Sequence, residues 1–168
     1  MFRIGFGYDA HPLVEGRSLI IGGSRIPYHL GLMGHSDADV LTHAVIDAIL
    51  GALARGDIGR HFPDSDPAYK DMDSLVMLKK VVEWVRQDGL RINNVDTTIV
   101  AEKPKLASFF EAMKTRLSDV LDIQMDQINI KATTTEGLGF CGHQEGMEAF
   151  AVISLVESPS APKEAIQK

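Results

Sequence analysis

The chain has 168 residues, the size of one ordinary domain, and its 45% hydrophobic and 24% charged content is enough to bury a core. Seventeen Lys and Arg against 23 Asp and Glu leave a formal net charge of −6, which argues against following a nucleic-acid backbone but not against one small anionic ligand. The lone Cys141 cannot form an internal disulfide, the start MFRIGFGYDAH lacks the plan of a signal or transit peptide, and the most apolar stretch, residues 44–54, is short and broken by Asp47. The expectation is a cytoplasmic, soluble protein with no nucleic-acid or membrane partner.

In chain order, residues 2–11 and 18–22 read as strands, the second running into the Gly22-Gly23 turn. Residues 38–55 are densely apolar and predict a helix, with Ser36 or Asp37 as its N-cap. Asp73 or Ser74 caps a second helix that Gly89 ends. Residues 94–101 predict a strand rich in β-branched side chains. Ser108 and Glu111 have capping-box spacing and open a third helix to about residue 121. Residues 128–134 and 148–156 read as the last strands. The class is α+β: one domain over residues 1–157, a mixed sheet with helices on one face, and a polar tail over residues 158–168.

Several polar groups stand out against this frame. Asp9 and His11 are two apart on a strand and share a face, which suits two ligands of one metal and equally a polar strand end beside Pro12. Asp39, His43 and Asp47 recur at i, i+4 and i+8, a polar stripe on an otherwise apolar helix, where each group needs a partner. Asp9, His11 and His43 together would make a zinc site with an open fourth position, and a histidine satisfied within the core competes with that reading on equal terms. His35-Ser36-Asp37-Ala38-Asp39 offers a helix N-terminus to phosphate or does capping alone. Gly56-Asp57-Ile58-Gly59 and Phe62-Pro63-Asp64-Ser65-Asp66-Pro67 make a long irregular loop, a surface turn or a lid. Thr133-Thr134-Thr135-Glu136 before two glycines reads either as β-propensity or as hydroxyls and amides for phosphate with an acid for a hard cation. Gly5-Phe6-Gly7-Tyr8-Asp9-Ala10 has the G-x-G-x-x-A spacing, but Pro12 interrupts the helix that a dinucleotide fingerprint requires.

Taken in order, D-x-H at Asp9 and His11, H-S-D-x-D at residues 35–39, His43, G-D-I-G at 56–59, F-P-D at 62–64 and the run from Lys131 to Phe140 resemble the 2-C-methyl-D-erythritol 2,4-cyclodiphosphate synthase family over residues 2–157. The resemblance implies a lyase of non-mevalonate isoprenoid (isoprene) biosynthesis, assembled as a homotrimer. In it the 2-phosphate of 4-diphosphocytidyl-2-C-methyl-D-erythritol 2-phosphate attacks the β-phosphorus, closing a cyclic diphosphate and releasing CMP. It further implies zinc on Asp9, His11 and His43, Mg²⁺ or Mn²⁺ on Glu136, and phosphate contacts at His35 and Ser36. His35 and Thr134 would stabilise the transition state. Asp57, Ile58 and Gly59 would meet the methylerythritol, aided by Phe62, Pro63, Asp64, Ser65 and Asp66. Ala101, Lys103, Pro104, Lys105 and Leu106 would meet the cytidine of a neighbouring subunit's site, with Lys105, Thr133 and Thr134 at its phosphates and Thr135 also in contact with substrate.

Phe140 and His143 would border a pocket on the trimer axis that takes an isoprenoid diphosphate in the family. Family members have Arg where this chain has His143, which is charged only part of the time near neutral pH, so that ligand stays open. His61 stands where an aliphatic residue is common and has no consequence assigned. Two rival readings use the same residues: a zinc-dependent phosphohydrolase with water as nucleophile, and a non-catalytic metal- or nucleotide-binding module.

Overall fold

The computed structural model describes residues 1–159. Its main sheet has five strands in the order β4-β1-β7-β5-β6. In chain order the elements are β1 (Phe2–Glu15), β2 (Leu19–Ile21), β3 (Ser24–Ile26), β4 (Leu30–Leu32), α1 (Val40–Ala52), α2 (Ile58–His61), α3 (Ser74–Gln87), β5 (Leu90–Val100), α4 (Phe110–Leu121), β6 (Ile128–Thr133), α5 (Gly139–Gly142) and β7 (Gly146–Glu157). Only β5 and β6 pair in parallel, through α4; the other pairings in the sheet are antiparallel, and β2 and β3 form a separate hairpin. The mixed α+β domain expected from sequence is the one observed.

Strand alternation sorts the sheet into two unlike faces. On β1 the odd positions Gly5 and Gly7 are buried against α1, while Phe2, Ile4 and Phe6 on the other face are 60%, 62% and 61% exposed. On β7, Met147, Ala149, Ala151, Ile153 and Leu155 enter the core, and Val152 is 43% exposed. Helix α1 is apolar nearly all round and lies between the sheet and α3, so it is the centre of the core. The two glycines answer for its closeness. A Cβ at Gly5 would fall 1.8 Å from the carbonyl oxygen of Ala48, and one at Gly7 2.0 Å from that of Ala44. The G-x-G pattern is therefore a packing device.

Several boundaries differ from the sequence expectations. Pro12 does not end β1, which runs on to Glu15; residues 2–12 pair with β7 and residues 13–15 with β4. Strand β5 starts at Leu90 rather than residue 94, because a bulge between Ile92 and Asn94 shifts the in–out alternation: Leu90 and Ile92 point inward, then Val95, Thr97 and Ile99. Ser108 and Glu111 form no capping box. A 3-10 turn, Ala107–Phe109, feeds straight into α4, and its N-cap Phe109 makes no side-chain cap bond. A capping box occurs instead at Gln124 and Gln127. Ser158 still donates its amide to the Gly89 carbonyl, and the rest of the expected tail, residues 160–168, lies outside the described residues. Among the described residues no helix is long and apolar enough to cross a membrane.

Substituting Gly7→Ala should cost about 2–4 kcal/mol of stability, because neither backbone can yield without opening the core. Urea denaturation of the variant checks this, and an unchanged midpoint would contradict it.

Candidate functional site

Asp9 and His11, the odd positions that follow Gly5 and Gly7, come off the same face of β1 and meet His43 on α1. Their donor atoms form a small triangle: His11 Nε2 to Asp9 Oδ2 is 2.8 Å, His43 Nδ1 to Asp9 Oδ2 is 3.0 Å, and His11 Nε2 to His43 Nδ1 is 3.1 Å. Tetrahedral coordination with bonds of 2.0–2.1 Å requires edges of about 3.3 Å, so the three groups need open only slightly to hold such an ion. This is the group of metal-capable donors found among the described residues. The Met33 carbonyl lies 2.8 Å from His11 Nδ1 and accepts its proton, which leaves Nε2 free as a ligand.

The triangle is electrostatically tense. Burial alone would raise the Asp9 carboxyl, but hydrogen bonds and charge attraction from His11 and His43 outweigh it and hold the group well below the usual carboxylate range. For His43, burial opposes the charged form, yet the Asp9 hydrogen bond and charge prevail and raise it above the ordinary imidazole range.

The donors open on a cleft of about 440 Å³ between β1, the 34–36 loop, α2 and the 62–69 segment. His35, Ser36, Ile58, Gly59, Phe62, Pro63 and Asp64 line it as well, so these sequence-predicted residues do share one cavity with the triad. Phe62 is anchored from behind by Tyr69 and Trp84, with Lys80 over its ring. His61 donates Nε2–H to the Arg55 carbonyl and packs on Trp84, which gives that residue a structural role. Asp57, Ser65 and Asp66 do not line the cleft. Asp57 caps α2 by accepting from Arg60 N, and Asp66 accepts from Ala68 N while its carbonyl meets His35 Nε2.

A second cleft, about 180 Å³, is bounded by Ala101, Pro104, Lys105, Leu106, Thr133 and Thr134, with Ala107, Phe110 and Ala132. Lys103 is exposed beside it. Thr135 and Gly137 donate their amides to Glu102, and the Thr134 hydroxyl donates to exposed Glu136 at 3.0 Å. Phe140 and His143, on and just after α5, line neither cleft. The clefts are separate within one chain. Asp9 pairs with Ala149, Ala149 with Ile99, and Ile99 with Ala132, so three strand spacings, about 14 Å, lie between them.

The polar stripe on α1 is fully partnered, but its start corrects the sequence reading. Asp39, not Ser36 or Asp37, is the N-cap of α1, accepting from Thr42 N and Oγ1 and from the amides of Gly22 and Gly23. The amides of Asp37, Ala38 and Asp39 are also taken, by the Met72 carbonyl, Ser36 Oγ and Asp37 Oδ1. Capping and loop-tying is what these three amides do. Asp47 accepts from Ile58 N and so fixes the start of α2. Tyr69, Met77 and Gly34, also in the cleft wall, carried no sequence signal of their own.

The site is thus a candidate three-donor metal site at a sheet–helix seam, facing a cleft of small-ligand size. The sequence profile of the YgbB family matches residues 2–156, and the chain belongs to that family. It is 59% identical over 155 residues to 2-C-methyl-D-erythritol 2,4-cyclodiphosphate synthase of Bacillus cytotoxicus, covering 92% of this chain and 98% of that one. Among solved structures it is similar to the bifunctional IspDF from Campylobacter jejuni, with a TM-score of 0.90 at 41% identity, covering 94% of this chain and 43% of that longer one. It is also similar to Plasmodium falciparum IspF, solved as a CDP complex, with a TM-score of 0.82 at 34% identity over 94% of this chain and 97% of that one.

A divalent probe entering the triad must displace the proton that Asp9 holds on His43. Cobalt(II) affinity should therefore climb as pH rises through the range, above that of an ordinary imidazole, where His43 gives up its proton, and level off once His43 is neutral. A titration showing flat affinity over that range would contradict this.

Proposed function

We infer that the protein catalyses the reaction for which its relatives are named, forming 2-C-methyl-D-erythritol 2,4-cyclodiphosphate. The observation that carries this is the Asp9–His11–His43 triangle on a cleft wall, in a chain 59% identical to a named synthase almost end to end. The substrate is 4-diphosphocytidyl-2-C-methyl-D-erythritol 2-phosphate. An oxygen of its 2-phosphate forms a bond to the β-phosphorus, the bond from that phosphorus to the bridging oxygen breaks, and CMP leaves with the electron pair. Zinc on Asp9, His11 and His43, and Mg²⁺ or Mn²⁺ on Glu136, would supply Lewis-acid positioning and charge neutralisation for the crowded phosphate oxygens.

The chain's own residues do the rest. His35 and Ser36 stand beside the triad and offer donors to a phosphate in the first cleft, with Ile58, Gly59 and the Phe62–Pro63–Asp64 wall enclosing the methylerythritol. Asp57, Ser65 and Asp66 support that wall from outside. In the second cleft, Ala101, Pro104 and Leu106 suit a pyrimidine ring, Lys105 brings positive charge with Lys103 exposed beside it, and Thr133 and Thr134 bring hydroxyls to the diphosphate. His35 and Thr134 would steady the charge that develops as the ring closes. No side-chain nucleophile is needed, because holding the two phosphates in line makes the attack unimolecular.

Within one chain the two clefts lie about 14 Å apart on the sheet, whereas ring closure needs the substrate folded so that its two phosphates meet at one place. The bare apolar face of β1 and β7 supplies the remedy: Phe2, Ile4, Phe6 and Val152 suit a neighbouring copy, and three copies around an axis would set one chain's first cleft against another's second. Phe140 and His143 lie on and just after α5, the element that precedes β7. The imidazole of His143 lacks the two-pronged guanidinium fork of Arg and is a weaker anchor for an isoprenoid diphosphate on that axis. The buried, unpaired Cys141 accords with a cytoplasmic setting.

Incubation with the cytidine substrate in ¹⁸O-labelled water should give cyclic diphosphate and CMP, neither carrying label. Label in the phosphates would make the protein a hydrolase, and no product would make it a binding module. His43→Ala should lose zinc by elemental analysis and lower turnover on the order of 10²–10³-fold. Mixing inactive Lys105→Ala with inactive His43→Ala should restore part of the activity through sites with both halves intact. A monomeric mass in solution, or no recovery after proven subunit exchange, would overturn the trimer.

A further inference from the structure

Ser74 is the first residue of α3 and is completely buried, yet its hydroxyl is not needed to start the helix, because Asp73 is the N-cap and accepts from Leu75 N. A buried hydroxyl without partners is costly, so where its bonds go carries information. They go to two other elements. Ser74 Oγ donates to Asp37 Oδ1 in a short contact, while Ser74 N donates to Asp37 Oδ2 at 3.1 Å. On its other side Ser74 Oγ lies 2.8 Å from His43 Nε2.

Proton counting fixes the direction of that last bond. A hydroxyl has one proton, and the Asp37 carboxylate can only accept, so the Ser74 proton is spent on Asp37. What faces His43 is a lone pair, and the ring must present Nε2–H to it. Ser36 Oγ, 3.2 Å from the same nitrogen, already accepts from Ala38 N and reinforces the polarity. With its proton on Nε2, the neutral imidazole carries its free lone pair on Nδ1, the nitrogen in the triangle with Asp9 and His11. The opposite tautomer would set two lone pairs against each other at Ser74 and aim an N–H at the metal position.

We propose that Ser74, held by Asp37, is a positioning residue that fixes the ring orientation and tautomer of His43 and so presents Nδ1 to the metal. The pair matches, from α3, what the Met33 carbonyl does for His11 from the other side. It also ties the metal centre to the helix that contributes Met77 to the cleft wall. The proposal rests on reading Asp9, His11 and His43 as metal ligands.

Two measurements on the intact protein test it. Zinc affinity, read by competition with a chromophoric chelator, should weaken about 10–100-fold in Ser74→Ala relative to wild type. Imidazole ¹⁵N spectra of the zinc-loaded wild type should place the His43 proton on Nε2, in slow exchange with water, and this signal should exchange rapidly in Ser74→Ala. Wild-type zinc affinity in a folded Ser74→Ala variant would overturn the proposal while leaving the metal reading intact. A proton on Nδ1 in the wild-type spectrum would overturn it even if the variant does not fold. Undiminished zinc binding by His43→Ala is a distinct result, which would overturn the metal reading and this proposal with it.

Discussion

The contact on which the rest depends is that of α1 against β1, closed to backbone distance by Gly5 and Gly7. Two strand residues rise about 6.8 Å and four helix residues about 6 Å, so the two elements stay nearly in step as they cross. Gly5 meets Ala48 and Gly7 meets Ala44. The same stepping brings the next same-face residues, Asp9 and His11, to the start of α1, where their side chains reach His43, the neighbour of Ala44. The donor triangle is the continuation of a packing register, and its small size follows from the absence of side chains at the two preceding steps.

Burying α1 on nearly all sides creates a second demand. In its polar stripe Asp39 and His43 are buried and Asp47 is half-buried, and each member draws in a different part of the chain. Asp39 holds the Gly22-Gly23 turn, His43 holds Asp9 and Ser74, and Asp47 holds Ile58. These groups fasten the Gly22-Gly23 turn, β1, α3 and the start of α2 to the core helix, and all of these but the turn contribute to the wall of the first cleft. Asp39 shows the balance involved: burial and the nearby Asp37 charge push its carboxyl upward, while bonds from Thr42 and Gly23 pull the other way. The donors converge from loops that no local preference would bring together.

The same alternation that sends odd β1 positions to the helix sends Phe2, Ile4, Phe6 and Tyr8 outward. Tyr8 packs on Phe150 and donates its hydroxyl to Glu148, so the outer face is ordered as well as apolar. Toward β5 and β6 that face turns polar, with Lys131 and Asn129 both bonded to Asp96. The proposed assembly would cover this apolar face and bring the two clefts of different chains together.

Much of this was legible in the sequence. The apolar run of residues 38–55, the period-two pairing of Asp9 with His11 and the polar period of Asp39, His43 and Asp47 follow from local periodicity, which secondary structure obeys, and the ordered motifs carried the family. What local pattern could not hold was decided by tertiary contact. The β5 bulge hid the strand's first residues by breaking their alternation, and Pro12 stayed in β1 because its carbonyl and the neighbouring residues found partners across the sheet. Ser36 and Asp37 carried as strong a cap signal as Asp39, and the Gly22 and Gly23 amides settled the choice. Ser74 read only as a helix start. Its tie to His43 spans 31 positions in sequence, and a hydrogen bond between residues so distant exists only once the chain has folded.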